Sequence, residues 1–167
     1  EEDVAATVGS GQRIFVERAM YFDYHGKWQG GSSTMGARHP ATSWYFAEGT
    51  TRPGFEEWLT LANPGDSGAL VTVLYMLGEG QGDNVTEVWE VPAHSRVTAS
   101  VNQAVGADKD VSMHVTSDRA IVAERPMYFD YQGRIAGGHN VMGAAAPATS
   151  WYFAEGTTRP GFEEWLT

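Results

Sequence analysis

Apolar residues in this chain recur at every second position over many short runs. Ser43–Glu48 sets Trp44 and Phe46 on one side and Tyr45 and Ala47 on the other. Phe55–Ala62 sets Phe55, Leu59 and Leu61 on one face, with Trp58 opposed to Leu59 and Leu61. Ala69–Leu77 alternates Val71, Val73 and Tyr75 against Leu70, Thr72, Leu74 and Met76. Both of its faces are apolar, so it is expected to be a central, covered strand. Val85–Val91, Arg96–Val101 and Val111–Val115 continue the pattern, and Ala120–Tyr131 is a longer run that contains Pro126. A period of two is that of a strand, whose successive side chains point to opposite faces. Turn-forming stretches separate the runs: "GTTRPG", "NPGDSG" and "GEGQGDN". No segment carries a stripe of period 3.6. The pattern therefore predicts an all-β chain, an immunoglobulin-like sandwich. Pro126 cannot donate to a ladder, so it is expected at a bulge or on an edge.

The same pattern occurs twice. "ATSWYFAEGTTRPGFEEWLT" fills Ala41–Thr60 and again Ala148–Thr167, with no letter changed. The offset of 107 also aligns Glu1–Pro40 with Asp108–Pro147 without gaps. "ERAMYFDYHGK" at Glu17–Lys27 faces "ERPMYFDYQGR" at Glu124–Arg134, and "GGSSTMGA" at Gly30–Ala37 faces "GGHNVMGA" at Gly137–Ala144. A period of 107 exceeds the roughly 20–50 residues of a solenoid unit. It suits one sandwich module of about 100 residues. The predicted organisation is therefore tandem. Residues 1–40 end a preceding repeat, 41–147 form a complete one, and 148–167 open the next. The Gly/Ala/Pro stretch "GHNVMGAAAPATS" is expected to be the linker between repeats. The chain reads as a cut through a longer array.

Composition narrows the partners. The net charge is −10. Nucleic-acid binding relies on clustered Lys and Arg, so it is excluded as an expectation, as is an anionic membrane surface. No apolar run approaches the roughly 20 residues that span a bilayer. The chain has no cysteine, which removes disulfides and Cys-based metal sites.

The ordered motifs "WYFAEG", "WLTLANPG", "VPAHSRVT", "VAERPMYFDY" and "GGHN" resemble a family of tandem repeats in large secreted or surface-attached bacterial proteins. The resemblance spans the chain. It implies an extracellular location, a β-sandwich module and a repetitive array, and it carries no catalytic residues with it.

Candidate chemistry is sparse. The G-x-G of "GEGQGDN" lies between two strands, without the helix N-terminus that phosphate binding uses. The five histidines (His25, His39, His94, His114 and His139) show no ligand spacing and are expected in turns or on the surface. Glu56 and Glu57 are adjacent on a strand and so face opposite ways. Asp108 and Asp110 flank Lys109, which argues against a Ca²⁺ loop. Asn84 begins "NVT", a glycosylation sequon beside a loop. No enzyme activity, cofactor or metal is expected.

The aromatics carry the functional expectation. Trp44, Tyr45, Phe46 and Trp58, with their counterparts Trp151, Tyr152, Phe153 and Trp165, exceed what one core face holds. Tyr and Trp are enriched where surfaces meet, so these residues are expected at contacts between modules or subunits. The predicted function is a structural repeat of a bacterial extracellular fibre, filament or stalk, whose partners are other copies of the repeat. The alternative is a surface adhesin or carbohydrate-binding module that stacks glycans on such rings, with Tyr21, Tyr24 and Trp28 as further candidates.

Overall fold

The computed structural model describes Asp3–Thr167. The chain is all-β, with one short helix among the described residues. Strands β1 (Glu17–Tyr24) and β2 (Trp28–Met35) form a hairpin of their own. The remaining strands are β3 (Ala41–Phe46), β4 (Phe55–Asn63), β5 (Ala69–Leu77), β6 (Val85–Val91), β7 (Ser95–Ser100), β8 (Val111–Tyr131) and β9 (Ile135–Met142). Helix α1 (Val101–Val105) follows β7.

The 21 residues of β8 are the spine. Its first half pairs with β5 and β3, and β6 adds to β5. Its second half pairs with β4 and β9, and β7 adds to β4. Two curled sheets therefore share one strand. The change of sheet comes after Ser117: β3 pairs Ser43 with Thr116 but Ala41 with Ile121, so β8 has extra residues at the corner. Such irregularities bend a strand and let it serve two sheets. Between the sheets lie Trp44 and Phe46, Leu59 and Leu61, Val71, Val73 and Tyr75, Met113 and Val115, all almost fully buried. Trp44 donates its indole N–H to the Ile121 carbonyl at 3.0 Å, so its polar atom is satisfied inside the core.

The alternation located β5 and β6 to the residue and β3, β4 and β7 to within two. Three features depart from it. Val111–Val115 and Ala120–Tyr131 are one strand, because β5 and β4 between them pair with most of its length. Pro126 is neither on an edge nor at a bulge. It pairs with Asn140 of β9, and the β4 register continues unshifted on both sides of it, with no pairing at Trp58 and Leu59. The missing N–H costs rungs, not register. β5 is central, but only its Val71, Val73 and Tyr75 face is covered; Leu70 is exposed.

Three elements, α1, β2 and β9, escaped the pattern. α1 is five residues long, too short to show a helical stripe. Ser100 caps it, and Asn102 accepts from the Glu57 N–H and donates to the Phe55 carbonyl. The glycine-rich stretches at Gly30 and Gly137 are strand, so "GHNVM" belongs to β9 and is not linker.

Candidate functional site

The two hairpins β1–β2 and β8–β9 share a register. Glu17 pairs with Met35 and Tyr24 with Trp28; one repeat period on, Glu124 pairs with Met142 and Tyr131 with Ile135. The first hairpin lies against the second, pointing the same way. A Cβ at Gly30 would come within 3.5 Å of the Gly137 Cα, and the Thr34 hydroxyl donates to the Asn140 carbonyl at 2.6 Å.

Glycine makes this approach possible. The Phe22 ring rests where a Cβ on Gly138 would stand, 2.8 Å from it, with the immovable Met127 carbonyl at 2.9 Å. Aromatic rings fill the rest. Tyr24 stacks on Tyr128 with centroids 4.1 Å apart and planes 8° apart, and Trp28 stacks on Tyr24 within the first hairpin. Phe22 meets Tyr128 edge-on. The Tyr24 hydroxyl donates to Glu56 at 2.8 Å, and burial together with that carboxylate raises its pKa. Arg18 closes the contact with an ion pair to Glu124 at 2.9 Å. Offset-stacked and edge-on rings contribute about 0.5–1.5 kcal/mol per pair beyond their buried area. The half-exposed ion pair adds little.

On the inner face of the same sheet sits a charged cluster. Arg125 is 4% exposed and donates to Glu48 at 2.8 Å and to His139 Nε2 at 2.9 Å. Because a guanidinium only donates, Nε2 must accept, which makes His139 neutral. Burial and the neighbouring Arg125 both lower its pKa. Glu57 is fully buried, and its carboxylate oxygens have no hydrogen-bond partner among the described residues. Burial pushes it up to about 8, against the opposing pull of Arg125. Protonated Glu57 beside the Arg125–Glu48 pair keeps the cluster near neutral. Gly49 leaves room for this carboxyl, since a Cβ there would collide with it. The proton on Glu57 is closed off from solvent, so this is chemistry of packing.

A family model described as a family of unknown function (DUF5719) matches residues 19–157. The chain belongs to this family. No curated protein matches it. Among solved structures, the chain is similar to the crystal structure of Thermotoga maritima 1070, with a TM-score of 0.57 at 16% identity over 63% of this chain and 94% of that one. A second similarity is to the Anabaena sensory rhodopsin transducer, at a TM-score of 0.46 and 23% identity, covering 52% of this chain and 87% of that one. The Thermotoga likeness establishes a shared all-β fold.

Within this DUF5719 chain the predicted contact residues part company. Trp44 and Phe46 are core. Tyr45 is half-buried, stacked on His114 with centroids 4.3 Å apart, and its N–H reaches the Ala144 carbonyl. Trp58 is half-buried on the strand face that carries Glu56, toward the first hairpin. Trp151, Tyr152, Phe153 and Trp165 are exposed and outside any strand. Of the glycan candidates, Tyr24 and Trp28 are engaged in the hairpin contact, while Tyr21 is 86% exposed. Asn84 is exposed beside β6, with its side-chain oxygen accepting the Leu77 N–H.

His25, His39 and His94 are exposed, but His114 and His139 are held in strands by Ser43 and Arg125. The sequence reading missed the Glu57 cluster. Its signal was there: Glu57 shares the parity of Leu59 and Leu61, and Arg125 that of Ala123 and Met127. Charged residues in a buried phase must find one another or lose their charge.

Proposed function

We propose that this chain is a structural module of a bacterial extracellular fibre, filament or stalk, a β-sandwich of immunoglobulin type that packs end to end with copies of itself. The observation that carries the reading is the hairpin contact. The hairpin at Glu17–Met35 lies, in the same direction, on a hairpin of the same register one repeat period later. Contacts between non-equivalent faces of like units do not close on themselves, and so favour open arrays. The unbroken identity between Ala41–Thr60 and Ala148–Thr167 supports the same reading. The similarity to the Thermotoga chain also supports it, because that match covers 63% of this chain, close to one period. An acidic, cysteine-free composition suits an exposed, soluble array.

The experiment is negative-stain electron microscopy of the native material. Regular axial spacing along rods is the expected result. Isolated beads without spacing would overturn the proposal.

A further inference from the structure

One buried guanidinium ties three elements together. Arg125 of β8 donates to Glu48, in the connection from β3 to β4, and to His139 Nε2 of β9. Its Nε–H is buried and has no partner among the described residues. His139 stands edge-on to Phe129 and opposite the buried Met127. Few charges surround it. β8 contributes Arg125, the β3–β4 connection contributes Glu48, and β4 contributes Glu57, which keeps its proton and so offers no charge. β2, packed against β9, has no titratable side chain. Glu124 and Arg18 pair on the opposite face of the hairpin. Among the described residues Glu48 is thus the one anion beside His139, and Arg125 already holds it. β9 itself is lightly held. Gly137 and Gly138 precede His139, and a glycine gives a strand no side chain to pack.

We propose that Arg125 and His139 form a pH-sensitive latch, in which protonation of His139 breaks its bond to Arg125 and opens β9. Neutral His139 accepts at Nε2, whereas the imidazolium donates at both ring nitrogens and can accept from nothing. Two cations then face each other across 2.9 Å. Turning the ring away does not relieve the site. It leaves a second N–H group of Arg125 buried without a partner, beside the Nε–H that already lacks one. Water reaches the guanidinium only if an element over it moves. β8 is the spine of both sheets, and the β3–β4 connection is tied down by Thr50 to the Lys109 carbonyl and by Thr51 to the Gly106 carbonyl. β9 is the element left to give, and such local opening costs only part of the global stability. Burial and Arg125 hold the His139 pKa below 6.5, so the closed latch disfavours the proton. It is therefore closed at neutral pH and opens as the pH falls below that value. The other face of the hairpin holds Tyr128 and Gly138 against the first hairpin, so an open β9 loosens that contact as well. That consequence rests on the array reading, whereas the latch rests on the cluster alone.

The test is amide hydrogen exchange of the whole chain at about pH 7 and about pH 5, corrected for the intrinsic rate at each. An imidazole of ordinary pKa in the open state raises the opening equilibrium by up to about 25-fold between those values. The bonded amides of β9 are expected to lose protection by about that factor, while those of β5 keep theirs. His139→Gln retains an acceptor for Arg125 but does not titrate, so its β9 amides are expected to be equally protected at both values. His25, His39, His94 and His114 remain in that variant, which separates their titration from that of His139. The parent chain gives a second reading that no folding defect of a variant can blur. By NMR its His139 ring is expected to titrate below 6.5, in step with the loss of β9 protection. Unchanged β9 protection at the lower pH, or a loss that persists in His139→Gln, overturns the latch. So does titration of His139 without exchange in β9, because the ring then turns out alone. The array proposal falls separately, on beads without axial spacing.

Discussion

One stretch of sequence stands in this molecule in two states. In the first copy Trp44 and Phe46 are 3% and 4% exposed, and Leu59 is fully buried. In the second, Trp151, Phe153 and Leu166 are 60%, 73% and 83% exposed. Yet the bend between the strands is the same. Gly54 has φ +89° and Gly161 φ +90°. The Arg–Phe turn bond recurs, and the Glu164 carboxylate lies against Gly156 as Glu57 does against Gly49. Turn geometry is thus local, set by Pro-Gly and by a glycine that accepts positive φ. Strand is not local. It exists at Ala41–Phe46 and Phe55–Asn63 because β8 and β7 are there to bond it.

The sharpest way to break the comparison is to make one substitution in each copy. Trp44→Ala removes a buried indole and its bond to Ile121, and should cost about 3–5 kcal/mol. Trp151→Ala removes an exposed ring and should change stability by about 0.5 kcal/mol or less. Urea denaturation of the two variants measures both. Equal losses would mean that the second copy is covered after all.

A second pair concerns the buried acid. Glu57 holds its proton up to a pH of about 8, against a reference of 4.5 when unfolded. The folded state then binds more protons than the unfolded one between those values, so stability falls as pH rises through that window. His139 acts oppositely: its pKa is lowered from 6.5, so stability falls as pH drops below that value. Above about pH 6.5 the His139 contribution is complete and only the Glu57 loss remains, so stability falls from there to about pH 8. Glu57→Gln should remove the loss on the alkaline side and gain roughly 2–5 kcal/mol at pH 8 relative to the parent. Glu164→Gln, in the exposed second copy, should change global stability by about 0.5 kcal/mol or less. Thermal melts from pH 4 to 9 decide the matter, and a flat parent profile would refute the role of Glu57.

How much of this was legible follows from the same split. Alternation at Val71–Tyr75 and Leu59–Leu61 found the core because a half-buried strand writes its faces into its letters. The β2 and β9 strands were hidden, because Gly30, Gly31, Gly137 and Gly138 have no side chain to alternate. Gly31 and Gly137 make room for rings of their own hairpins, Tyr21 and Phe129, while Gly30 and Gly138 also meet the other hairpin, which only the fold brings near. The repeat itself was visible in the letters. Likewise the surplus of aromatics pointed to a contact, yet the rings that meet across the hairpins are Phe22, Tyr24 and Tyr128, with Trp28 stacked on Tyr24 inside the first hairpin. Trp44 and Phe46, on the packed face of their strand, are core, while Tyr45 and Trp58, the rings left over, are half-buried.

The smallest effect tests the local half of the comparison. Gly54→Ala places a Cβ at φ +89°, and 2.8 Å from the Asp130 carbonyl, a backbone atom that cannot step aside. Strain of about 1 kcal/mol for the backbone alone is the floor, and the close contact adds to it, so global unfolding should shift by about 1–3 kcal/mol. Gly161→Ala meets the same φ penalty with nothing within 4 Å of the added carbon. With no packed strands depending on it, the cost is absorbed by the turn itself. Global stability should hold while the Phe162 N–H loses its protection from exchange. Hydrogen exchange at Phe55 and Phe162 in the two variants reads this directly. If Gly161→Ala lowered global stability as much as Gly54→Ala, the bend in the second copy would be held by packing, and the separation of local turn from partnered strand would fail.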